Sequence, residues 1–142
     1  MRWPWPSHSY MSQHACRPGR RANPRWQHLT GAAAEDLVAR HLEDRGCRIV
    51  ARRFRCKGGE IDLVVGDGEV TAFVEVKARR SSRFGHAAEA VTSRKRRRLA
   101  IAARAFLRTR DRPPGRCRFD VACVELRAGR ASVEWIRDAF RV

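Results

Sequence analysis

Apolar and polar residues alternate with two different periods along the chain, and these periods predict its elements. Residues 30–45 and 93–109 carry apolar side chains three and four positions apart, the spacing of amphipathic helices. Thr30 is a suitable N-cap for the first helix, and Gly46 is a suitable C′ residue. Runs of alternating or β-branched residues predict strands at residues 47–54, 118–126 and 132–136.

The stretch GEIDLVVGDGEVTAFVEVK, residues 59–77, predicts a β-hairpin. Two apolar runs flank residues 66–68, Gly-Asp-Gly, which tolerate the positive φ of a tight turn. Because successive side chains of a strand point to opposite faces, Glu60 and Asp62 share one face of the first strand. The other face is expected to carry Ile61, Leu63 and Val65. The order of all the predicted helices and strands indicates an α/β fold with an αβββαβ core, a mixed sheet flanked by helices.

The hairpin brings two acidic residues of neighbouring strands onto one face. A turn centred on residues 67 and 68 places Asp62 diagonally across from Glu75, and a turn centred on 68 and 69 places them directly opposite. Neighbouring carboxylates repel and are costly to bury, so they need a compensating cation. Hard oxygen ligands suit Mg²⁺ or Mn²⁺, and with the ammonium of Lys77 nearby such a site can hydrolyse phosphodiesters. An edge hairpin with solvated cross-strand ion pairs is the alternative.

Two short motifs carry a family resemblance. Asp62 followed by Glu75-Val76-Lys77 matches the D…(D/E)-X-K signature of the PD-(D/E)XK nuclease superfamily, with Ile61 in place of the proline of its name. GEID and FVEVK more specifically resemble the YraN-type family of small uncharacterised bacterial proteins, which are similar to archaeal Holliday-junction resolvases. The resemblance extends from about Leu29 to Phe140. It implies a restriction-endonuclease-like fold and a nuclease-type site, without an established substrate.

The resemblance also implies roles for individual residues. Asp62 and Glu75 would ligate Mg²⁺ or Mn²⁺, and Lys77 would position the attacking water or stabilise charge. In resolvase-like relatives a first-helix glutamate completes the metal site, and Glu35 stands at the matching place. Glu35 lies beside the apolar arc of its helix. The alternative explanation of this position is a glutamate at the boundary of the core, stabilised by the positive N-terminal end of the helix dipole. Glu60 is expected to be peripheral.

The composition favours a partner that carries phosphate. The 142 residues suit one domain, and the net charge is +16 with a pI near 11.4. Nucleic acid, and DNA in particular, is the expected partner; no apolar run approaches the length of a membrane span. Two-fold substrates favour a homodimer, although no coiled coil or apolar patch is evident in the sequence.

A run of five cations, Arg94, Lys95, Arg96, Arg97 and Arg98, opens the second predicted helix. Cations oppose the positive end of the helix dipole, so an anionic ligand such as a phosphate would relieve the conflict. Lys95 lies one turn before Leu99 on the apolar stripe and is expected to point toward the site. A solvated, solubilising face is the alternative.

A polar loop, residues 78–92, follows the hairpin and begins with the nucleic-acid-binding candidates Arg79 and Arg80. The loop could fold over nucleic acid with Phe84 or His86 stacked on a base, or it could be a plain flexible connection. In the RFDV stretch near the next strand, Asp120 is expected to form a structural ion pair rather than to brace a cation of the site.

The chain contains five cysteines, an odd number without CxxC spacing, which indicates reduced thiols in a cytoplasmic protein. A zinc site could be built only at unusual intervals, from Cys47, Cys56, Cys117 and Cys123. Residues 1–28 contain no acid and no apolar periodicity, so they are either a disordered basic arm or upstream sequence included by an early start codon. Residues 29–142 are expected to form the endonuclease-like domain.

The leading hypothesis is therefore a Mg²⁺-dependent nuclease, or nuclease-like protein, acting on structured DNA. The first alternative is a nucleic-acid-binding protein that retains the fold without turning over a substrate. The second is a basic partner protein of ribosomes or of a DNA-processing assembly. The three hypotheses differ in their dependence on a divalent metal ion.

Overall fold

The structure is a computed structural model that describes residues 30–79, 91–111, 115–127 and 129–142. The segment 1–28 and the loop with Arg80, Phe84 and His86 lie outside the described residues. The elements in chain order are α1 (Gly31–Glu43), β1 (Arg48–Cys56), β2 (Gly59–Asp67), β3 (Val70–Arg79), α2 (Ser93–Arg108), β4 (Arg116–Arg127) and β5 (Arg130–Phe140). The predicted order of helices and strands is confirmed. The last strand is longer than predicted and takes in the terminal apolar residues.

The five strands form one mixed sheet in the order β1-β2-β3-β4-β5. Strands β3 and β4 pair in parallel, and every other neighbouring pair is antiparallel. Helix α2 connects the two parallel strands, as a parallel pair requires a crossover. The α/β architecture, a mixed sheet flanked by two helices, is confirmed and is consistent with a restriction-endonuclease-like core. No helix in the described ranges has the length and apolar character needed to cross a membrane.

Each helix buries its apolar stripe against one face of the sheet. The α1 side contains Ala34, Val38, Ala39 and Leu42 against Leu63, Val65, Val74, Ala122 and Val124. The α2 side contains Leu99, Ala102, Ala103 and Phe106 against Ile61, Val64, Phe73 and Val121. The central strands are therefore covered on both faces, which explains their nearly continuous apolar sequences.

Helix α1 has the predicted caps. The Thr30 hydroxyl accepts a hydrogen bond from the Ala33 N–H at 3.3 Å. At the other end Gly46 has φ +82°, and the Cys47 N–H donates to the Leu42 carbonyl at 3.0 Å. This is the hydrogen-bond pattern of a Schellman motif, which needs a left-handed residue that glycine adopts without strain.

The predicted alternation of faces fails at one point of β2. Ile61 packs on the α2 side, whereas Leu63 packs on the α1 side, so the prediction that they share a face is wrong. The β1–β2 register pairs Arg52 with Leu63 and then Phe54 with Ile61, and the pairing skips Arg53 and its neighbour in β2. Arg53 has φ +50°, a conformation that non-glycine residues rarely adopt. The alternation of β2 therefore breaks at this unpaired position.

Helix α2 approaches β2 most closely at Gly59. A Cβ atom added at Gly59 would overlap the backbone oxygen of Arg98 and would lie 3.1 Å from the Ala102 Cβ. Only glycine allows the helix to pack directly on the strand backbone at this point. The contact sets the position of the first turns of α2 above β2 and β3.

Candidate active site

The paired ladder of β2 and β3 ends where the acidic residues begin. The register runs from Asp67 opposite Val70 to Leu63 opposite Val74, so the turn is centred on residues 68 and 69. Continued by one step, this register would place Asp62 opposite Glu75. Instead of strand pairing, the Asp62 Oδ2 atom accepts a hydrogen bond from the Val76 N–H at 2.8 Å. The side chain of Asp62 thus occupies the gap in which the two strands separate.

Glu75 is buried, with 3% of its surface exposed, and two ammonium groups flank its carboxylate. Lys77 Nζ lies 2.9 Å from Oε1, and Lys95 Nζ lies 3.2 Å from Oε2. The Lys95 contact is an ion pair without the angle of a hydrogen bond, and among the described residues Oε2 has no hydrogen-bond partner. The two ammonium groups nevertheless balance the charge of this buried carboxylate, which would be costly to bury alone.

The carboxyl group of Asp62 has an unusually high proton affinity. Burial, followed by the negative charge of Glu75, raises its pKa from 3.8 to about 6. The hydrogen bond from Val76 and the charge of Lys95 act in the opposite direction. The two carboxylates are therefore close enough to repel, as paired ligands of one cation would be.

Lys95 joins the site from α2. Its Nζ atom also lies 3.4 Å from Glu60 Oε1, and Arg55 Nε lies 3.8 Å from Glu60 Oε2. Burial lowers the pKa of Lys95, but the charges of Glu75, Asp62 and Glu60 raise it above its usual value. The prediction that Lys95 points toward the site is confirmed, and the structure connects Glu60 to the site through it.

Glu35 has a strong partner of its own. Its Oε2 atom accepts a hydrogen bond from Arg53 Nε at 2.6 Å, and the side chain is 15% exposed. The charge of Glu35 still contributes to the raised pKa of Asp62, although as the smallest of the causes. The structure thus brings Asp62 and Glu75 together, and places Glu35 in an ion pair at the edge of this group.

Two neighbouring carboxylates, Asp62 and Glu75, are the ligands that this site offers to the expected divalent cation. In the described part of the chain, no group of three His, Cys, Asp or Glu side chains is arranged to hold a metal ion. Mg²⁺, however, is commonly held by one or two carboxylates together with waters and substrate phosphates. The carboxylate oxygens of Asp62 and Glu75 are hard ligands of this kind. The four described cysteines, Cys47, Cys56, Cys117 and Cys123, are free thiols.

The side chains of the basic run at the start of α2 have three different environments. Arg94, Arg97 and Arg98 are exposed. Lys95 turns inward to Glu75, as described above. Arg96 is half-buried: its Nε donates to the Val91 carbonyl at 3.0 Å, and its guanidinium lies 5.0 Å from the centre of the Phe140 ring. The remaining candidate in the described residues, Arg79, is half-buried at the end of β3.

Comparison with known proteins identifies the family. The family described as "Uncharacterised protein family UPF0102" matches residues 34–124. A UPF0102 protein of Ralstonia pickettii is 48% identical over 117 residues, which cover 80% of this chain and 90% of the relative. A UPF0102 protein of Pelotomaculum thermopropionicum is 44% identical over 114 residues, covering 79% and 95%. A third, from Ralstonia nicotianae, is 45% identical over 133 residues, covering 91% and 98%. The matched region contains most of α1, all of α2, the hairpin and most of β4, and the chain therefore belongs to the UPF0102 (YraN) family.

Proposed function

We propose that this protein is a nuclease that uses Mg²⁺ or Mn²⁺ to hydrolyse phosphodiester bonds in structured DNA. The observation that carries the proposal is the buried carboxylate of Glu75 beside Asp62, where the repulsion between the two charges contributes to the raised pKa of Asp62. Two ammonium groups accompany this pair. Acids and cations gathered at one point suit chemistry in which negative charge develops on a phosphate.

Each residue of the candidate active site has its own role in the proposed reaction. Asp62 and Glu75 would hold the divalent ion, which when bound supplies Lewis-acid stabilisation of the charge on the phosphate. Lys77 is 31% exposed and reaches Glu75 Oε1, so its ammonium can also orient a water molecule or a phosphate oxygen at the surface. Lys95 is less exposed and balances the second oxygen of Glu75. Glu35 fixes the guanidinium of Arg53 at the rim.

A second candidate function is nucleic-acid binding without turnover. The observation that favours it is the balance of charges: Glu75 is already countered by two lysines, and Glu35 by Arg53. Such ion pairs also form a static network that needs no metal ion. The net charge of +16 supports nucleic-acid binding under either candidate.

Cleavage assays with matched variants test the nuclease. Junction, flap and single-stranded DNA are incubated with the wild-type protein and Mg²⁺ or Mn²⁺, and with the isosteric variants Asp62→Asn and Glu75→Gln. Each variant is expected to lose more than about 100-fold in rate, the equivalent of several kcal/mol of lost charge stabilisation, while binding persists. Glu43→Gln, an exposed residue at the end of α1, removes the same charge and is expected to leave the rate unchanged.

Intact substrates across the panel with both metals would reject the nuclease in favour of binding without turnover. An equal loss of rate in Glu43→Gln would show that net charge, rather than the pair of carboxylates, matters. Circular dichroism of each variant establishes that the fold is retained in these comparisons.

A further inference from the structure

A basic groove runs along the outer face of α2, away from the candidate active site. It has a volume of about 430 Å³ and lies between the helix and the end of β5. Its walls carry Arg96, Arg97, Arg104 and Arg141, and its floor includes Ala100 and Ile101. Arg104 and Arg141 are not part of the basic run that the sequence singles out. We refer to this feature as the α2 arginine groove.

The groove and the candidate active site lie on opposite sides of the same helix. At about 100° per residue, Arg97 lies about 200° around the helix from Lys95. Lys95 contacts Glu75 on the sheet side, whereas Arg97 lines the groove. A helix with its side chains is about 10 Å across, so a polymer that contacts both must pass around the start of α2. The exposed Arg94 and Arg98 lie on the helix surface between these two faces.

Two of the four arginines of the groove, Arg97 and Arg104, carry charge that no described residue balances. Among its described lining residues none is acidic. Arg97 and Arg104 are exposed and make no hydrogen bond or ion pair with any described residue. Arg141 is 88% exposed, and Asp138 contacts it only at 3.4 Å. At Arg97 and Arg104 an anionic ligand would therefore meet guanidinium groups that need not leave another partner among the described residues.

The spacing of the arginines favours a chain of anions over a single anion. Arg97 and Arg104 are seven residues apart in α2, which corresponds to about 10.5 Å along the helix axis. Between them lies Ile101, 39% exposed and one of the two large exposed apolar residues among those described. An interval of about 10.5 Å spans about three phosphates of one strand, whose charges repeat about every 3.4 Å along the axis of duplex DNA.

A second basic hollow adjoins the groove and extends it. This hollow, of about 510 Å³, shares Arg141 with the groove and is also lined by Arg116 and Arg137. Asp138 lines it as well, so its charge is less one-sided. Arg116 pairs with Val70 at the start of β3. Val70 lies five residues before Glu75, so Arg116 is about 17 Å along the strand from the candidate active site. Together the groove and the hollow form a basic surface that is longer than one nucleotide.

We propose that the α2 arginine groove binds the sugar-phosphate backbone of a nucleic acid, at a distance from the point of cleavage. The identity of the polymer rests on the proposed function, whereas the contact itself does not require cleavage. The groove contacts phosphates without base recognition, so it contributes affinity rather than sequence preference.

Binding of a labelled oligonucleotide across a salt series tests the groove. All proteins carry Glu75→Gln to prevent cleavage. The test variant is Arg97→Gln/Arg104→Gln, and the control is Arg40→Gln/Arg130→Gln, two exposed arginines of α1 and β5. Fluorescence anisotropy should show weaker binding of the test variant to every sequence. The slope of log Kd against log salt should fall by about 1.8 for duplex DNA or about 1.4 for single strands.

Three results distinguish a backbone contact from a general effect of charge, from a membrane contact and from the nuclease itself. An unchanged slope in the test variant, or an equal change in the control, would overturn the groove as a backbone site. Retained DNA binding together with lost binding to vesicles of anionic phospholipid would overturn it in favour of a membrane contact. A wild-type protein that cleaves nothing, while the groove variant still loses affinity and slope, would refute the nuclease and support the groove.

Discussion

The carboxyl group of Asp62 is subject to two opposing influences. The hydrogen bond from the Val76 N–H stabilises the charged form, whereas burial and the charge of Glu75 favour the neutral form. The influences that favour the neutral form are the stronger ones, so the pKa of Asp62 rises to about 6. A carboxyl group with this pKa gives up its proton to a cation readily near neutral pH, which suits a metal ligand better than a permanently paired acid does.

Replacing Asp62 should stabilise the protein at neutral pH. The native state holds the Asp62 proton up to about pH 6, whereas an unfolded chain releases it near 3.8, so the native state binds more protons between these values. Stability therefore falls as the pH rises through this window, by on the order of 2–3 kcal/mol in total. Asp62→Asn keeps an acceptor for the Val76 N–H and removes this pH-dependent loss of stability. Urea denaturation with EDTA should show the variant more stable at pH 7 and nearly equal to wild type at pH 4.

The exposed Asp36 provides the control, because Asp36→Asn removes the same charge from a surface ion pair with Arg52. This control should change stability by less than about 1 kcal/mol. A stability difference between Asp62→Asn and wild type that does not vary with pH would contradict the raised pKa.

Lys95 illustrates how one side chain can take a role different from that of its neighbours. It belongs to a run of cations that looks uniform in the sequence, yet its ammonium reaches two acidic residues. Its position on the same stripe as Leu99 is the local signal that distinguishes it from Arg94, Arg97 and Arg98. The partners of Lys95 could not be deduced from that stripe, because they belong to β2 and β3.

At the scale of elements, the docking of α2 on β2 positions the amine of the site. The close approach at Gly59 allows Lys95 to reach Glu75 across the first turn of the helix. The separation of β2 from β3 beyond Leu63 then opens the space in which the carboxylates lie. One helix contact and one strand separation together build the site.

Adding a methyl group at Gly59 should displace α2. Gly59→Ala places a Cβ atom against the Arg98 carbonyl oxygen, and a helix backbone cannot yield as a side chain can. The expected loss of stability is about 3 kcal/mol, at the upper end of the usual cost of overpacking. Thermal or urea unfolding measures it. Gly66→Ala is the control in the same strand, because its Cβ atom would make only ordinary contacts at 3.8 Å.

Gly66→Ala should cost less than about 1 kcal/mol, since glycine is itself unfavourable inside a strand. Equal effects of the two substitutions would contradict the close packing of α2 on Gly59. A folded Gly59→Ala protein should also bind divalent ions or DNA differently, because Lys95 moves with the helix.

At the scale of the whole molecule, a buried acid ties distant strands together. Asp120 of β4 has no exposed surface and accepts hydrogen bonds from Arg118 Nε at 2.9 Å, Trp135 Nε1 at 3.0 Å and the Asp138 N–H at 2.9 Å. Arg118 also donates to Asp67 of β2 at 2.7 Å. The prediction that Asp120 forms a structural ion pair is confirmed, and the network links three strands.

Removing this network should destabilise the whole fold. Asp120→Ala leaves the Arg118 guanidinium, the Trp135 N–H and a backbone N–H without their acceptor, at an expected cost of about 3–5 kcal/mol. Glu125→Ala, in the same strand, breaks an ion pair with the 65% exposed Arg127 and should cost less than about 1 kcal/mol. Urea denaturation of both variants measures the difference, and similar losses would contradict the role of Asp120.

Much of the fold could be predicted because its signals are local. The caps at Thr30 and Gly46, the apolar stripes and the hairpin all depend on residues a few positions apart. In β4 the alternation expected of a strand holds, since Val121 and Cys123 lie on the α2 side whereas Ala122 and Val124 lie on the α1 side. The face of Ile61 was predicted wrongly, because the alternation of β2 breaks beside Arg53 of the neighbouring strand, where the pairing skips a position and φ is positive.

The sequence alone determined the elements, their order, the family resemblance and the pair of acids that share one hairpin. The tertiary structure decided the order of the strands and the partners of the charged side chains. Glu35 pairs with Arg53 across 18 residues, and Lys95 reaches Glu60 across 35. Periodicity describes which face of an element a residue occupies, and only the packing of elements decides which charges meet there. For that reason the two acids could be predicted together, whereas Lys95 as their counter-ion and the arginine groove behind it required the fold.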